Sequence, residues 1–189
     1  MRYSDKWPVY AKEWDAMVIK PERVAEFRKY AEFALNNIER YRAVEALTGV
    51  RWYHIAVIHR RESNADFGTY LGNGESLKHV TRLVPKGRGP FSTFEAGAID
   101  ALKIDGLSTV LDWRLEKILY YCELFNGAGY DHMGIPSPYI WGGTSIQVRG
   151  KYVADHNFDH NQWDTQPGCA PMLKTIAALD QTIQFIRET

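Results

Sequence analysis

Cysteine is scarce in this chain: Cys122 and Cys169 are the only two. That is too few for a disulfide scaffold. Cys122 lies in a helical pattern and reads as a small buried hydrophobe. Excess charge of one sign is also missing, since 23 Lys plus Arg balance 23 Asp plus Glu. Nucleic acid is thereby excluded as a main partner, because phosphate binding draws on a basic surplus. Any steering toward an anionic ligand must come from a local patch. No apolar run approaches the ~20 residues needed to span a bilayer. Met1-Arg2-Tyr3-Ser4-Asp5-Lys6-Trp7 leads into no apolar stretch. The sequence therefore predicts no secretory signal, and a protein that is made in a cytosol and stays there on its own. Internal repeats, low-complexity tracts and linkers are absent, so residues 1–189 read as a single domain. There is no serine elbow, no phosphate loop and no Cys-His pair of familiar spacing.

Aromatic residues are plentiful, with six Trp and eleven Tyr. They serve equally as core filler or as platforms for flat ligands such as sugars. Pro21 opens a helical pattern carried by Val24, Phe27, Ala31, Ala34, Leu35 and Ile38, with Gly49 as its stop. Trp52 to Asn64 reads as a second helix, with Ile55, Ile58 and Glu62 on one face. From Phe67 to Val84 the period changes to alternation around Gly72-Asn73-Gly74, which predicts a small β-hairpin. Ser92 and Glu95 match a capping box and open a helix through Leu102. A further helix is expected from Asp112 to Phe125. Residues 126–170 are rich in Gly, Pro, Asn and aromatics. Pro171 opens a last helix with Leu173, Ile176, Leu179, Ile183 and Ile186 as core positions. The fold class is α+β and mainly helical.

Glu62 stands near the C-terminal end of its helix, at the negative end of the helix dipole. That setting disfavours ionisation of a carboxyl, and flanking apolar residues act in the same direction. A glycosidase needs one carboxylic acid held protonated to donate to the leaving oxygen. Arg60 and Arg61 would oppose this if they pointed at Glu62, but helical spacing turns them elsewhere. Glu75 follows the Gly72-Asn73-Gly74 turn, and Thr81 lies six residues further on. A carboxylate and a hydroxyl so placed suit the activation and holding of a water. A lone turn Glu is more often simply solvated.

Asn126, Gly127 and Tyr130, within Phe125-Asn126-Gly127-Ala128-Gly129-Tyr130, join a helix end to an aromatic. Amide donors and acceptors with close backbone approach suit an N-acetyl sugar. The same residues fit a helix cap followed by a loop, and spacing does not choose between the two. Tyr139, Trp141 and Tyr152 are either sugar platforms or anchors of a long loop. In Asp155-His156-Asn157-Phe158-Asp159-His160, the two histidines would be i, i+4 ligands on a helix. Neighbouring Gly and Asn argue against that helix, and no third ligand is placed, so no metal is assigned.

Taken in order, a set of short strings becomes specific. They are Trp52-Tyr53 with Ile58-His59-x-x-Glu62-Ser63, Asn73-Gly74-Glu75 with Leu77, and Val84-Pro85-x-Gly87-Arg88-x-Pro90-Phe91. Ala98-Ile99-Asp100-Ala101-Leu102, Phe125-Asn126-Gly127-x-Gly129-Tyr130, Pro136-Ser137-Pro138-Tyr139-x-Trp141 and Gly150-Lys151-Tyr152-Val153-Ala154-Asp155 follow. The set resembles the phage-type lysozyme family proteins of the lysozyme-like superfamily, akin to goose-type lysozymes and soluble lytic transglycosylases. The resemblance runs from about Trp14 to the last helix.

The resemblance implies a lysozyme-like fold with a small β-hairpin or sheet beside the end of the catalytic helix. It implies one catalytic domain without a separate wall-binding domain. The expected activity is hydrolysis of the β-1,4 bond between N-acetylmuramic acid and N-acetylglucosamine, with Glu62 as proton donor. Glu75 and Thr81 are similar in separation to the Asp and Thr of a Glu-Asp-Thr constellation in phage lysozymes. Asp66 is a rival for the carboxylate. The Glu62-Ser63 pair is similar to the transglycosylase pattern, which places Ser63 with the sugar-binding residues. The expected partner is peptidoglycan glycan, met as a monomer, with no cofactor. A separate holin is expected to release the enzyme from the host cytoplasm to the wall. The alternatives are a lytic transglycosylase giving 1,6-anhydro products and a catalytically silent glycan-binding phage protein. Many endolysins are basic, and this neutral chain departs from them.

Overall fold

A computed structural model of the chain describes residues 1–154 and 157–189. The chain is mainly helical and divides into two compact units. One unit comprises Met1–Glu32 with Arg114–Thr189, and the other is Phe33–Trp113. Among the described residues no helix is long and apolar enough to cross a membrane.

The first unit opens with α1 (Tyr3–Ala16), which the sequence does not announce. Pro8 sits inside it, and a proline in a helix interior removes a backbone donor, so the local signal is weak. A 3-10 turn at Pro21–Arg23 leads into α2 (Val24–Asn36), and the boundary between the units falls within α2. After the second unit come α6 (Leu115–Asn126), the short α7 (Gly129–His132) and α8 (Pro138–Trp141). Strands β1 (Lys151–Ala154) and β2 (Asn157–Asp159) and helix α9 (Cys169–Leu179) complete it. Helix α6 packs on α1, α8 and α9. Both cysteines are buried and unbridged.

Helix α9 ends earlier than its apolar spacing predicts. Leu173 and Ile176 are buried, but Ile183 lies beyond the helix and Ile186 is 71% exposed. Asp180 Oδ1 accepts from Thr182 N (3.1 Å) and Thr182 Oγ1 (2.6 Å), a local turn that competes with the next helical bond. The remaining tail is held by polar contacts. The fully buried Glu116 accepts from Arg187 Nε (2.5 Å) and Glu188 N (2.9 Å).

In the second unit, α3 (Ile38–Thr48) packs on both α4 (Trp52–Ser63) and α5 (Phe94–Ile104). Gly49 stops α3 in a left-handed conformation (φ 73°), as its position predicts. Helix α4 is buried nearly all round: Trp52, His54 to His59 and Arg61 are all buried. Polar His54, His59 and Arg61 are buried with the apolar residues, so the packing around the helix encloses it rather than an apolar surface of its own. Helix α5 is capped by Thr93, whose Oγ1 accepts from Ala96 N (3.2 Å), one residue after the expected Ser92. Glu95 is drawn instead to Arg40 (2.7 Å).

The hairpin expected over 67–84 is reduced to its tip. Thr69 and Ser76 make one isolated bridge, and the rest is turns and loop. Two backbone bonds flank the bridge, Tyr70 N to Glu75 O (2.7 Å) and Leu77 N to Gly68 O (3.0 Å), and pairing stops there. Glu75 takes Arg82 N and Leu83 N, and Thr81 takes Arg88 N. The two-stranded sheet, β1 with β2, lies in the other unit, pairing Lys151 with Asp159 and Tyr152 with Phe158.

Candidate functional site

The C-terminal turn of α4 carries Glu62 and Ser63, both half-buried. Asn64 N donates to Arg60 O and Ala65 N to His59 O, each at 3.1 Å. Both capping residues have positive φ, 56° for Asn64 and 60° for Ala65. Asn visits this region readily, whereas Ala pays about 1 kcal/mol for it. The strain sits directly behind Glu62-Ser63. Ser63 Oγ donates back to His59 O (3.2 Å).

His59 anchors the same turn from beneath. Its Nε2 lies 3.1 Å from Asp66 O and its Nδ1 3.0 Å from Tyr41 Oη. A carbonyl can only accept, so Nε2 carries the proton and Nδ1 accepts from the tyrosine. Burial holds the imidazole neutral, lowering its pKa to about 4. Phe67 and Phe94 pack on the ring at 4.9 and 4.3 Å, and Arg40 covers Phe67 at 3.9 Å. Asp66, the rival carboxylate, is engaged locally: its Oδ1 accepts from Gly68 N (2.8 Å).

The 70–77 turn folds back onto this helix end. Gly74 has φ +74°, and a Cβ there would stand 2.8 Å from Glu62 O. Only glycine allows that approach. The structure thus brings the Asn73-Gly74-Glu75 string against Glu62-Ser63. Glu75 Oε2 accepts from Arg82 N (2.9 Å), Leu83 N (2.8 Å) and Asn73 Nδ2 (3.2 Å). Its Oε1 takes one long bond, from Arg82 N at 3.2 Å. Thr81 is buried, and its hydroxyl is committed to the loop. It donates to Pro85 O (2.6 Å) and accepts from Arg88 N (2.9 Å). Expected to hold a water, Thr81 holds backbone instead.

Arg88 in turn makes a two-pronged contact with Asp100 on α5, with Nε to Oδ2 at 3.0 Å. Tyr70 Oη also donates to Asp100 Oδ2 (2.9 Å). The Arg88 guanidinium keeps the Asp100 carboxyl below the usual carboxylate range. The 84–91 and 98–102 strings therefore form one clamp. A pocket of about 400 Å³ is lined by Glu75, Ser76, His79, Val80 and Arg82. Glu62 and Thr81 are not among its lining residues.

In the other unit, Asn126 is the exposed last residue of α6, and Gly127 caps it with φ +88°. Tyr130 is buried, with its Oη accepting from Tyr152 N (3.2 Å) and its ring edge-on to Tyr152 at 5.2 Å. A Cβ on Gly129 would strike the Tyr152 ring at 2.9 Å. Residues 129–130 and Tyr152, from two of the strings, are thus brought together. Tyr139 and Trp141 are corrected as sugar platforms. They are 2% and 0% exposed within α8, which fits the alternative reading of anchors for the long loop. Asp155 and His156 lie outside the described residues, and His160 is exposed with its ring 4.8 Å from Phe158.

Sequence reasoning missed a buried acidic group in this first unit. Glu123 is 1% exposed, bonded by Tyr10 Oη, and 3.8 Å from Lys6 Nζ, which also pairs with Asp131 at 3.0 Å. Burial pushes the Glu123 carboxyl up. Glu13, on the same helix as Tyr10, is raised to about 7, chiefly by burial, while Lys6 and the Trp141 indole oppose the rise. Nothing in the spacing of α1 marks these residues. Their burial exists only once α1 lies on α6. No family model, curated protein or solved structure matches the chain.

Proposed function

We propose that the chain is a peptidoglycan-cleaving muramidase of lysozyme-like fold, with Glu62 as general acid. The observation that carries this reading is the placement of Glu62. It is a half-buried carboxyl on the last turn of a buried helix, with a glycine turn closed over its backbone and a second carboxylate one residue beyond. In this reading Glu62 protonates the leaving glycosidic oxygen as an oxocarbenium-like state develops. Glu75 Oε1, with only its one long bond, retains lone pairs to accept a proton from water. Thr81 acts indirectly, by holding the loop that fixes Glu75. The family resemblance adds phage lysis with release through a holin.

A second enzymatic reading is favoured by one observation. The Thr81 hydroxyl proton is committed to Pro85 O, and three of the four bonds to Glu75 converge on Oε2. A lytic transglycosylase needs no second acid, because the sugar's own N-acetyl group assists. Mass spectrometry of digested peptidoglycan separates the two: reducing ends mean hydrolysis and 1,6-anhydro ends mean the transglycosylase reaction. Glu62→Gln should lower the rate by at least about 100-fold, the lower range for losing a general acid, with the fold intact. Unchanged wall lysis by that variant would refute the assignment. No lysis by the wild-type protein would favour a silent glycan-binding role.

A further inference from the structure

The pocket beside Glu75 has a chemical character of its own. Between Glu75 and Glu95 the chain carries Lys78, Arg82, Lys86 and Arg88, with His79, and no acidic residue. In a chain of zero net charge this is a local basic segment. Arg88 is spent on Asp100. Among the described residues Arg82 and His79 make no side-chain hydrogen bond or ion pair, and both line the pocket. Backbone bonds from residues 82 and 83 to Glu75 fix the root of the Arg82 side chain. Val80, half-exposed, supplies an apolar wall on the same lining. A guanidinium fork suits a carboxylate, and a small aliphatic wall suits a methyl group. The volume of about 400 Å³ is of the size that takes a small-molecule fragment.

We infer that this pocket binds the lactyl-peptide arm of N-acetylmuramic acid, with Arg82 on its carboxylate, so that it selects muramyl residues over plain N-acetylglucosamine. The inference rests on the muramidase reading for the identity of the ligand. The arm carries both features, a methyl group and a carboxylate. Arg82 is therefore a specificity-determining residue and takes no part in bond cleavage.

The test is binding to the full-length Glu62→Gln protein, which separates recognition from turnover. N-acetylmuramyl-L-alanyl-D-glutamate is the probe, and an N-acetylglucosamine trimer is the control. Arg82→Ala should weaken the muramyl probe about tenfold, the scale of one charged hydrogen bond, and leave the trimer unchanged. Arg82→Lys should recover part of the loss, since it keeps the charge without the fork. Equal affinity of wild type and Arg82→Ala for the muramyl probe overturns the inference, as does an equal loss for both ligands. If Arg82→Ala is unstable, the same comparison with a probe whose carboxylates are amidated decides the question. Unweakened binding of that probe overturns the inference. Muramyl binding that depends on Arg82, in a protein that lyses no wall, would sustain the pocket while the muramidase reading fails.

Discussion

Replacing Glu13 by Gln should make the protein more stable at alkaline pH and leave it nearly unchanged at acid pH. In the folded chain burial raises the Glu13 carboxyl from 4.5 to about 7. At ~1.36 kcal/mol per pH unit, that difference corresponds to an upper bound of about 3.4 kcal/mol. Glu13 is partly exposed, so solvent screening brings the expected effect to about 1–2 kcal/mol. The sign follows from proton counting. Between the unfolded and folded values the folded state binds more protons, so stability falls as pH rises. The contribution is fully present below about pH 4.5 and lost by about pH 7. Glutamine does not titrate, and its amide oxygen can still accept from the Trp141 indole. Glu123, raised by burial and by other causes, works in the same direction. The buried His54 and His59, lowered to about 3 and 4, work oppositely, losing stability as pH falls below 6.5. The absolute pH curve therefore mixes both signs. The difference between wild type and Glu13→Gln isolates the carboxyl, because both proteins share the histidines. Urea unfolding at steps from pH 4 to pH 8 gives that difference directly. A difference that does not change with pH would refute the argument that burial holds Glu13 protonated.

Gly74→Ala should destabilise the protein by about 2 kcal/mol and lower kcat, because the added Cβ meets Glu62 O at 2.8 Å and the backbone is left-handed. Thermal unfolding and wall-lysis kinetics read both effects, and a neutral outcome would show that the turn does not press on the helix end. Thr81→Val should cost about 1–3 kcal/mol by stranding Arg88 N and Pro85 O, whereas Thr81→Ser should stay near wild type. A loss of activity in Thr81→Val without any loss of stability would restore a direct role in holding water.

The amino-acid sequence by itself determines a good deal here. The helix Trp52–Ser63, the glycine stop at Gly49, the helical character of residues 94–104 and 115–126, and Glu62 at a helix end are all local matters. They follow from side-chain periodicity, from caps and from backbone freedom. What only the tertiary structure decided is where polar groups spend their hydrogen bonds. The alternation at 67–84 reads as a hairpin, yet pairing stops at the Thr69–Ser76 bridge, and beyond it the Glu75 carboxylate and the Thr81 hydroxyl take the amides of Arg82, Leu83 and Arg88. Tyr139 and Trp141 look like ligand platforms until they are seen to be buried in α8. Glu13 and Glu123 look like ordinary surface acids until α1 lies on α6 and removes their water. Periodicity reports a residue's own element, whereas desolvation and hydrogen-bond partnership depend on distant segments that only folding brings into contact.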